Sequence, residues 1–104
     1  MTRIAFAMKL KPGYEAEYKR RHDLIWPELV KEIEAAGISD YSIFLEPSTR
    51  TLFAFQKVKD HTGTATLPSQ AIVKKWWGYM ADIMDTHPDN SPVSVPLTEV
   101  FHMD

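Results

Sequence analysis

The chain predicts an α+β fold, a ferredoxin-like βαββαβ protomer whose antiparallel sheet carries its helices on one face. Three observations predict it. Apolar residues alternate with period two in four segments, helical spacing takes over in the stretches between the first and second and between the third and fourth, and the strand segments are apolar on both sides. At 104 residues the chain is expected to form one domain, 1–104, with a single modest core. A pocket of any size is then expected to borrow walls from a second subunit.

Residues 3–10 set Ile4, Phe6, Met8 and Leu10 on one side and the small Ala5 and Ala7 on the other, a strand that Lys11-Pro12-Gly13 ends. From Tyr14 the spacing turns helical, with Tyr14, Tyr18, Arg21, His22 and Ile25 on one side and Glu15, Lys19 and Asp23 on the other. Trp26 precedes a proline and is pushed out of the α region, while Pro27 suits the start of a second helix over 28–36 that Gly37 closes. A kink therefore falls beside Trp26 and splays Tyr18, His22 and Trp26 instead of letting them stack.

Residues 39–45 predict a second strand, with Tyr41, Ile43 and Leu45 on one face and Phe44 on the other. A turn at 46–49 leads to a third strand at 52–58. Residues 60–69, polar and holding Gly63 and Pro68, predict an irregular segment, after which Pro68 or Ser69 opens a helix with Ile72, Trp76, Tyr79, Met80 and Ile83 at helical spacing. A proline-bracketed rigid loop at 87–92 and a last strand at 97–101 complete the order. Helices cover only one face of such a sheet. Its second apolar face is expected to meet a second copy, giving a homodimer with two sheets packed face to face as a dimeric α/β barrel, in which the last strand can be exchanged.

Charge is nearly balanced, with 12 Lys+Arg against 14 Asp+Glu and a formal net charge of −2, so no field favours nucleic acid or an anionic membrane. No apolar stretch approaches the roughly 20 residues that span a bilayer. The absence of cysteine excludes disulfides and thiolate chemistry. The first six residues lack a charged region followed by a long apolar run, and a cytoplasmic protein is expected. Glycine-rich phosphate loops, GxSxG and dinucleotide fingerprints are all missing.

Tyr18, His22 and Trp26 stand at i, i+4, i+8, so one helical face offers a phenol, an imidazole and an indole. That set suits a neutral sugar, which takes an aromatic surface against its C–H groups and a few aimed polar groups. It equally suits a half-buried packing stripe. Of the four histidines, His61, His87 and His102 fall in loops or near the terminus, and no metal-ligand spacing occurs, so no metal is expected. Trp76 and Trp77 diverge by about 100 degrees, so one can face the core and the other a dimer seam or a ligand. Tyr41 has the same two readings. Asp23, Glu28, Asp82 and Asp89 are the carboxylates placed to approach the aromatic cluster.

With these residues on view, the chain resembles the L-rhamnose mutarotase family along its whole length. The resemblance rests on Glu17-Tyr18-Lys19-Arg20-Arg21-His22, Ile25-Trp26-Pro27-Glu28-Leu29, Tyr41-Ser42-Ile43-Phe44-Leu45, Trp76-Trp77-Gly78-Tyr79-Met80 with Asp82-Ile83-Met84, and Pro88-Asp89-Asn90-Ser91-Pro92-Val93-Ser94 before Glu99-Val100-Phe101. It implies a ferredoxin-like protomer in a dimer, His22 as the catalytic proton donor, and Tyr18, Tyr41, Trp76 and Trp77 as sugar-binding residues. The implied reaction interconverts the α and β anomers of L-rhamnopyranose by acid/base-assisted ring opening and needs no cofactor. The general base stays open between a relayed water, Tyr41 and a carboxylate. Residues 60–69 are less helical than the family leads one to expect. Two other classes compete: a cofactor-independent dimeric monooxygenase of similar fold, and a non-catalytic ligand-binding dimer.

Overall fold

The computed structural model describes residues 2–59 and 61–104, with the side chains of 61–63 excepted. The alternating segments become Thr2–Lys9 (β1), Ile38–Glu46 (β2), Thr51–Val58 (β3) and Ser94–Leu97 (β4), which form one antiparallel sheet in the order β2-β3-β1-β4. The helices are Glu15–Asp23 (α1), Pro27–Ala35 (α2), His61–Thr66 (α3) and Ala71–Met80 (α4). This is the βαββαβ order read from the sequence, with each crossover built from two helices.

The break between α1 and α2 falls where the proline requires it. Trp26 sits in extended backbone at φ −66°, ψ 128°, and Pro27 opens α2, where its missing N–H has no intrahelical role. Gly37 ends α2 at φ +86°, and a Cβ there would lie 3.0 Å from the Lys59 Cβ. Only glycine fits that turn, which lets the Gly37 carbonyl accept the Lys59 N–H at 2.8 Å and starts β2 against the end of β3.

Between Ser39 and Ser42 the register of β2 slips: Ser39 pairs with Lys57 and Ser42 with Phe55. Asp40 and Tyr41 therefore oppose the single residue Gln56, a β-bulge that Asp40 accommodates at φ +49°. The bulge corrects a parity problem. Ile38 and Ile43 are an odd number apart and would face opposite sides of a regular strand, yet they pair with Val58 and Ala54, which point the same way.

The helix-covered face holds the core: Met8, Leu52 and Ala54 of the sheet close on Tyr18, Leu29, Val73, Trp76 and Met80 of the helices. The opposite face is apolar and open, with Phe44 62 % and Phe55 46 % exposed and in edge-to-face contact at 5.9 Å, beside Val95 and Leu97. The two apolar faces expected from the strand patterns are both present.

Two segments differ from expectation. Residues 61–69 are helical, as α3 and a 3-10 turn (Leu67–Ser69), not irregular; Leu67 packs on both core clusters and so compensates for the poor intrinsic propensity of this stretch. Asp60, at the head of that expected segment, lies outside the described residues. The following helix starts at Ala71, beyond Pro68 and Ser69. The last strand is 94–97, not 97–101, because its pairing with β1 runs only from Ala5↔Leu97 to Met8↔Ser94. Past Leu97 the chain leaves the ladder with Val100 and Phe101 exposed, and Glu99 holds Arg3 at 2.9 Å.

Arg21 ties α1 to the far end of α4. It is 9 % exposed, donates to the Tyr79 carbonyl at 2.7 Å, to Asp82 at 2.9 and 3.2 Å and to Glu17 at 2.7 Å, and its guanidinium lies 4.4 Å from the centre of the Tyr79 ring. Removing one partner of a buried network strands the rest. Arg21→Leu is expected to lower the unfolding free energy by about 2–3 kcal/mol, toward the low end of such losses because Asp82 can be rehydrated, as read from the urea midpoint. Hydrogen bonds from Arg20 and then Arg21 pull the Glu17 carboxyl down from 4.5 to about 2. Its contribution is thus present above the unfolded value of 4.5 and is lost as pH falls through about 2. The decline in stability across that window is expected to be shallower in Arg21→Leu.

Candidate active site

Between the sheet and the helices lies an open cavity of about 1130 Å³, bordered by Tyr18 and His22 of α1, Tyr41 of β2, Gln56 of β3, and Trp76, Trp77 and Met80 of α4. The sheet face and the helices of one chain supply these walls, and the cavity stays open on one side. All five site residues singled out in the sequence border this space: Tyr18, His22, Tyr41, Trp76 and Trp77.

His22 is held on three sides. Its ring stacks on Tyr18 at 4.3 Å and 28°, its edge meets Trp76 at 5.4 Å and 90°, and its Nδ1 lies 3.0 Å from the Tyr18 carbonyl oxygen. A carbonyl only accepts, so Nδ1 carries the hydrogen and donates it. Burial pushes the imidazole below its ordinary 6.5, against weaker upward pulls from the Tyr18 carbonyl and Asp23. A neutral His22 with hydrogen on Nδ1 has a bare Nε2 on the opposite side of its ring, and that nitrogen is a proton acceptor near pH 7.

The phenols continue this polar line. Burial raises Tyr18 well above an ordinary phenol, and the neighbouring Tyr41 adds to the rise. Tyr41 is 38 % exposed as a residue, yet desolvation also raises its phenol, offset in part by a hydrogen bond with Gln56. Neither tyrosine ionises at neutral pH. Both are fit to exchange hydrogen bonds with hydroxyls, and neither to serve as a base.

The indoles form the apolar wall. Trp76 is buried and Trp77 half-buried, the divergence that adjacent helical positions require, and both border the cavity. Trp26 does not border it. The proline break turns Trp26 outward, where it stacks on Tyr79 at 5.5 Å, meets Trp76 edge-on at 5.0 Å and lies under Lys75. Tyr18 and His22 do stack on one another, so only the third member of the triplet splays.

Of the four candidate carboxylates, Asp23 alone reaches the cavity, paired to Lys19 at 3.0 Å. Asp82 is taken by Arg21, Asp89 accepts from the Ser91 backbone and hydroxyl, and Glu28 lies on a separate surface hollow. His87 belongs to the tight turn in which its N–H donates to the Ser91 carbonyl at 2.8 Å, and His102 pairs with Asp104 at the exposed carboxyl end. The side chain of His61 lies outside the described residues. Among the described residues no three His, Cys, Asp or Glu converge as metal ligands. No helix among them is long and apolar enough to cross a membrane.

Sequence reasoning missed Gln56 and Asn90, which also border the cavity. Gln56 carried a signal: it is the polar member of the inward series Leu52, Ala54, Gln56, Val58. Asn90 adopts φ +70° at the tip of its turn, a backbone asparagine tolerates, and nothing in its spacing announced the cavity.

The fold defines a class first. It is the ferredoxin-like α+β fold also found in a putative antibiotic biosynthesis monooxygenase from Nitrosomonas europaea, with a TM-score of 0.63 over 97 % of this chain and 100 % of that one. At 14 % identity that likeness concerns the fold alone. Within the class, the profile of the L-rhamnose mutarotase family matches residues 3–103. An L-rhamnose mutarotase from Bacteroides thetaiotaomicron is 60 % identical over 104 residues, the full length of both chains. One from Mesorhizobium japonicum is 56 % identical over 97 % of this chain and 96 % of its own. The crystal structure of an L-rhamnose mutarotase from Formosa agariphila covers both chains fully with a TM-score of 0.94 at 54 % identity. The chain belongs to the L-rhamnose mutarotase family, whose members are isomerases of carbohydrates.

A nitrogen-15 titration of the imidazoles is expected to find His22 with its hydrogen on Nδ1 and a midpoint below 6.5. Asp23 favours the cation, so Asp23→Asn is expected to move that midpoint further down.

Proposed function

We propose that this protein interconverts the α and β anomers of L-rhamnopyranose, with His22 as the proton carrier and Tyr18, Tyr41, Trp76 and Trp77 binding the sugar. The observation that carries the proposal is the neutral His22, fixed through Nδ1 and offering Nε2 within an aromatic cavity. Ring opening moves one proton between two oxygens of the same carbon. Nε2 takes the proton of the anomeric hydroxyl, the electrons of that O–H bond form the aldehyde C=O, and the C1–ring-oxygen bond breaks with its pair going to the ring oxygen. The imidazolium then gives that oxygen the proton. The aldehyde carbon rotates about its bond to C2, and the reverse steps close the ring on its other face.

His22 thus acts as donor in the second step only because it accepted in the first, so one residue supplies both base and acid. The raised phenols of Tyr18 and Tyr41 stay protonated and orient hydroxyls. Trp76, Trp77 and Met80 supply the apolar surface that a 6-deoxy sugar's methyl group and C–H faces favour. The chain is proposed to work as one cytoplasmic domain, 1–104, paired with a second copy through the open sheet face that Phe44, Phe55, Val95 and Leu97 leave uncovered.

Exchange NMR on equilibrated L-rhamnose tests this by following magnetisation between the two anomeric protons. Wild-type protein is expected to drive the exchange, and His22→Ala or His22→Gln to slow it by roughly 100-fold or more. The rate should be flat above neutrality and fall as pH drops through a midpoint below 6.5, since protonation removes the acceptor. Exchange that persists undiminished in both variants would assign the proton transfer to another group.

A further inference from the structure

Gln56 is out of character with its position. It stands on the inward face of β3, 8 % exposed, among Leu52, Ala54 and Val58, each of which is 1 % exposed or less. A carboxamide has two donors and a carbonyl with two lone pairs, and a buried polar group without partners destabilises the protein that holds it. Among the described residues its side chain is matched with one group, the Tyr41 phenol. Most of the capacity of Gln56 therefore remains for whatever occupies the cavity it borders.

The backbone is shaped around this pair. The bulge sets Asp40 and Tyr41 against Gln56 alone, so the one irregularity in the sheet falls where the two polar side chains meet. A phenol and a carboxamide hold more donors and acceptors between them than one mutual bond uses, so the pair can both donate to and accept from a hydroxyl in the cavity. Tyr18 borders the cavity near Tyr41, and His22 stacks on Tyr18. A polar line runs from the proton carrier to Gln56 along one wall of the cavity.

We propose that Gln56 is a specificity-determining residue: with Tyr41 it receives one ring hydroxyl of the aldose, at the end of the polar line away from His22, and so selects sugars that carry a hydroxyl there. This rests on the anomer-interconverting reading above. Removing a paired hydroxyl leaves buried polar groups unmatched, which is how a site rejects the sugar that lacks it.

The test uses Gln56→Leu and the near-isosteric Gln56→Met, with L-rhamnose and its 2-, 3- and 4-deoxy derivatives. Binding is read from tryptophan fluorescence, which Trp76 and Trp77 at the cavity make responsive, and turnover from anomer exchange. Both variants are expected to raise Kd and KM for L-rhamnose roughly tenfold while kcat changes less than about threefold. One deoxy sugar should bind wild type as weakly as L-rhamnose binds the variants, with no further loss when the two changes are combined. The sugar-free variants should melt no lower than wild type, which a purely structural role would not allow. Unchanged affinity, an equal loss for every deoxy sugar, or variants that fail to fold would each overturn the proposal. If wild type binds L-rhamnose without exchanging its anomers, the reaction assigned above falls and the Gln56 assignment is decided on Kd alone. If wild type does not bind L-rhamnose, both fall.

Discussion

The site depends on a buried guanidinium that never enters it. Tyr18 and His22 come from α1, and Trp76 and Trp77 from α4, so the distance from imidazole to indole is a distance between helices. Arg21 fixes that distance by gripping Glu17 on its own helix and the Tyr79 carbonyl and Asp82 at the end of the other. It stands one residue before His22, about 100 degrees round the helix, so the same turn of α1 offers one face to the cavity and another to the clamp. Because Arg21 spends its charge on those partners, the ionisation of His22 is left to burial, the Tyr18 carbonyl and Asp23.

The second constraint is backbone parity. An uninterrupted β2 would have placed Ile38 or Ile43 on the wrong face, and the bulge resolves this by spending two residues against one. The residues at that extra step are Asp40 and Tyr41, so the repair that keeps the core apolar also delivers a phenol to the cavity. Local fold correction and site construction are here the same event.

Much of this was legible in the chain because the governing effects are local. The proline after Trp26, the glycine after α2 and the alternation in β1 and β3 each act within a few residues, and each yields the element that their spacing predicts. The aromatic and histidine positions were legible because their chemistry is scarce. What escaped was set at long range. Residues 61–69 are helical because Leu67 finds the core, β4 lies at 94–97 because its ladder on β1 runs only from Met8↔Ser94 to Ala5↔Leu97, and Asp82 is held by Arg21 from 61 residues away. Trp26 left the cavity for a reason that was visible, but the direction it would take depended on Tyr79 and Lys75.

The sheet's two margins also differ from its faces in what they can join. On the outer strand β2 the bulge at Asp40 and Tyr41 interrupts the regular ladder, and on β4 Pro96 has no N–H to offer. An incoming strand would meet a broken hydrogen-bonding row on either side, so fibril-like growth by edge pairing is blocked at both ends. Despite its exposed phenylalanines, the sheet is therefore biased against open-ended polymers built by strand addition.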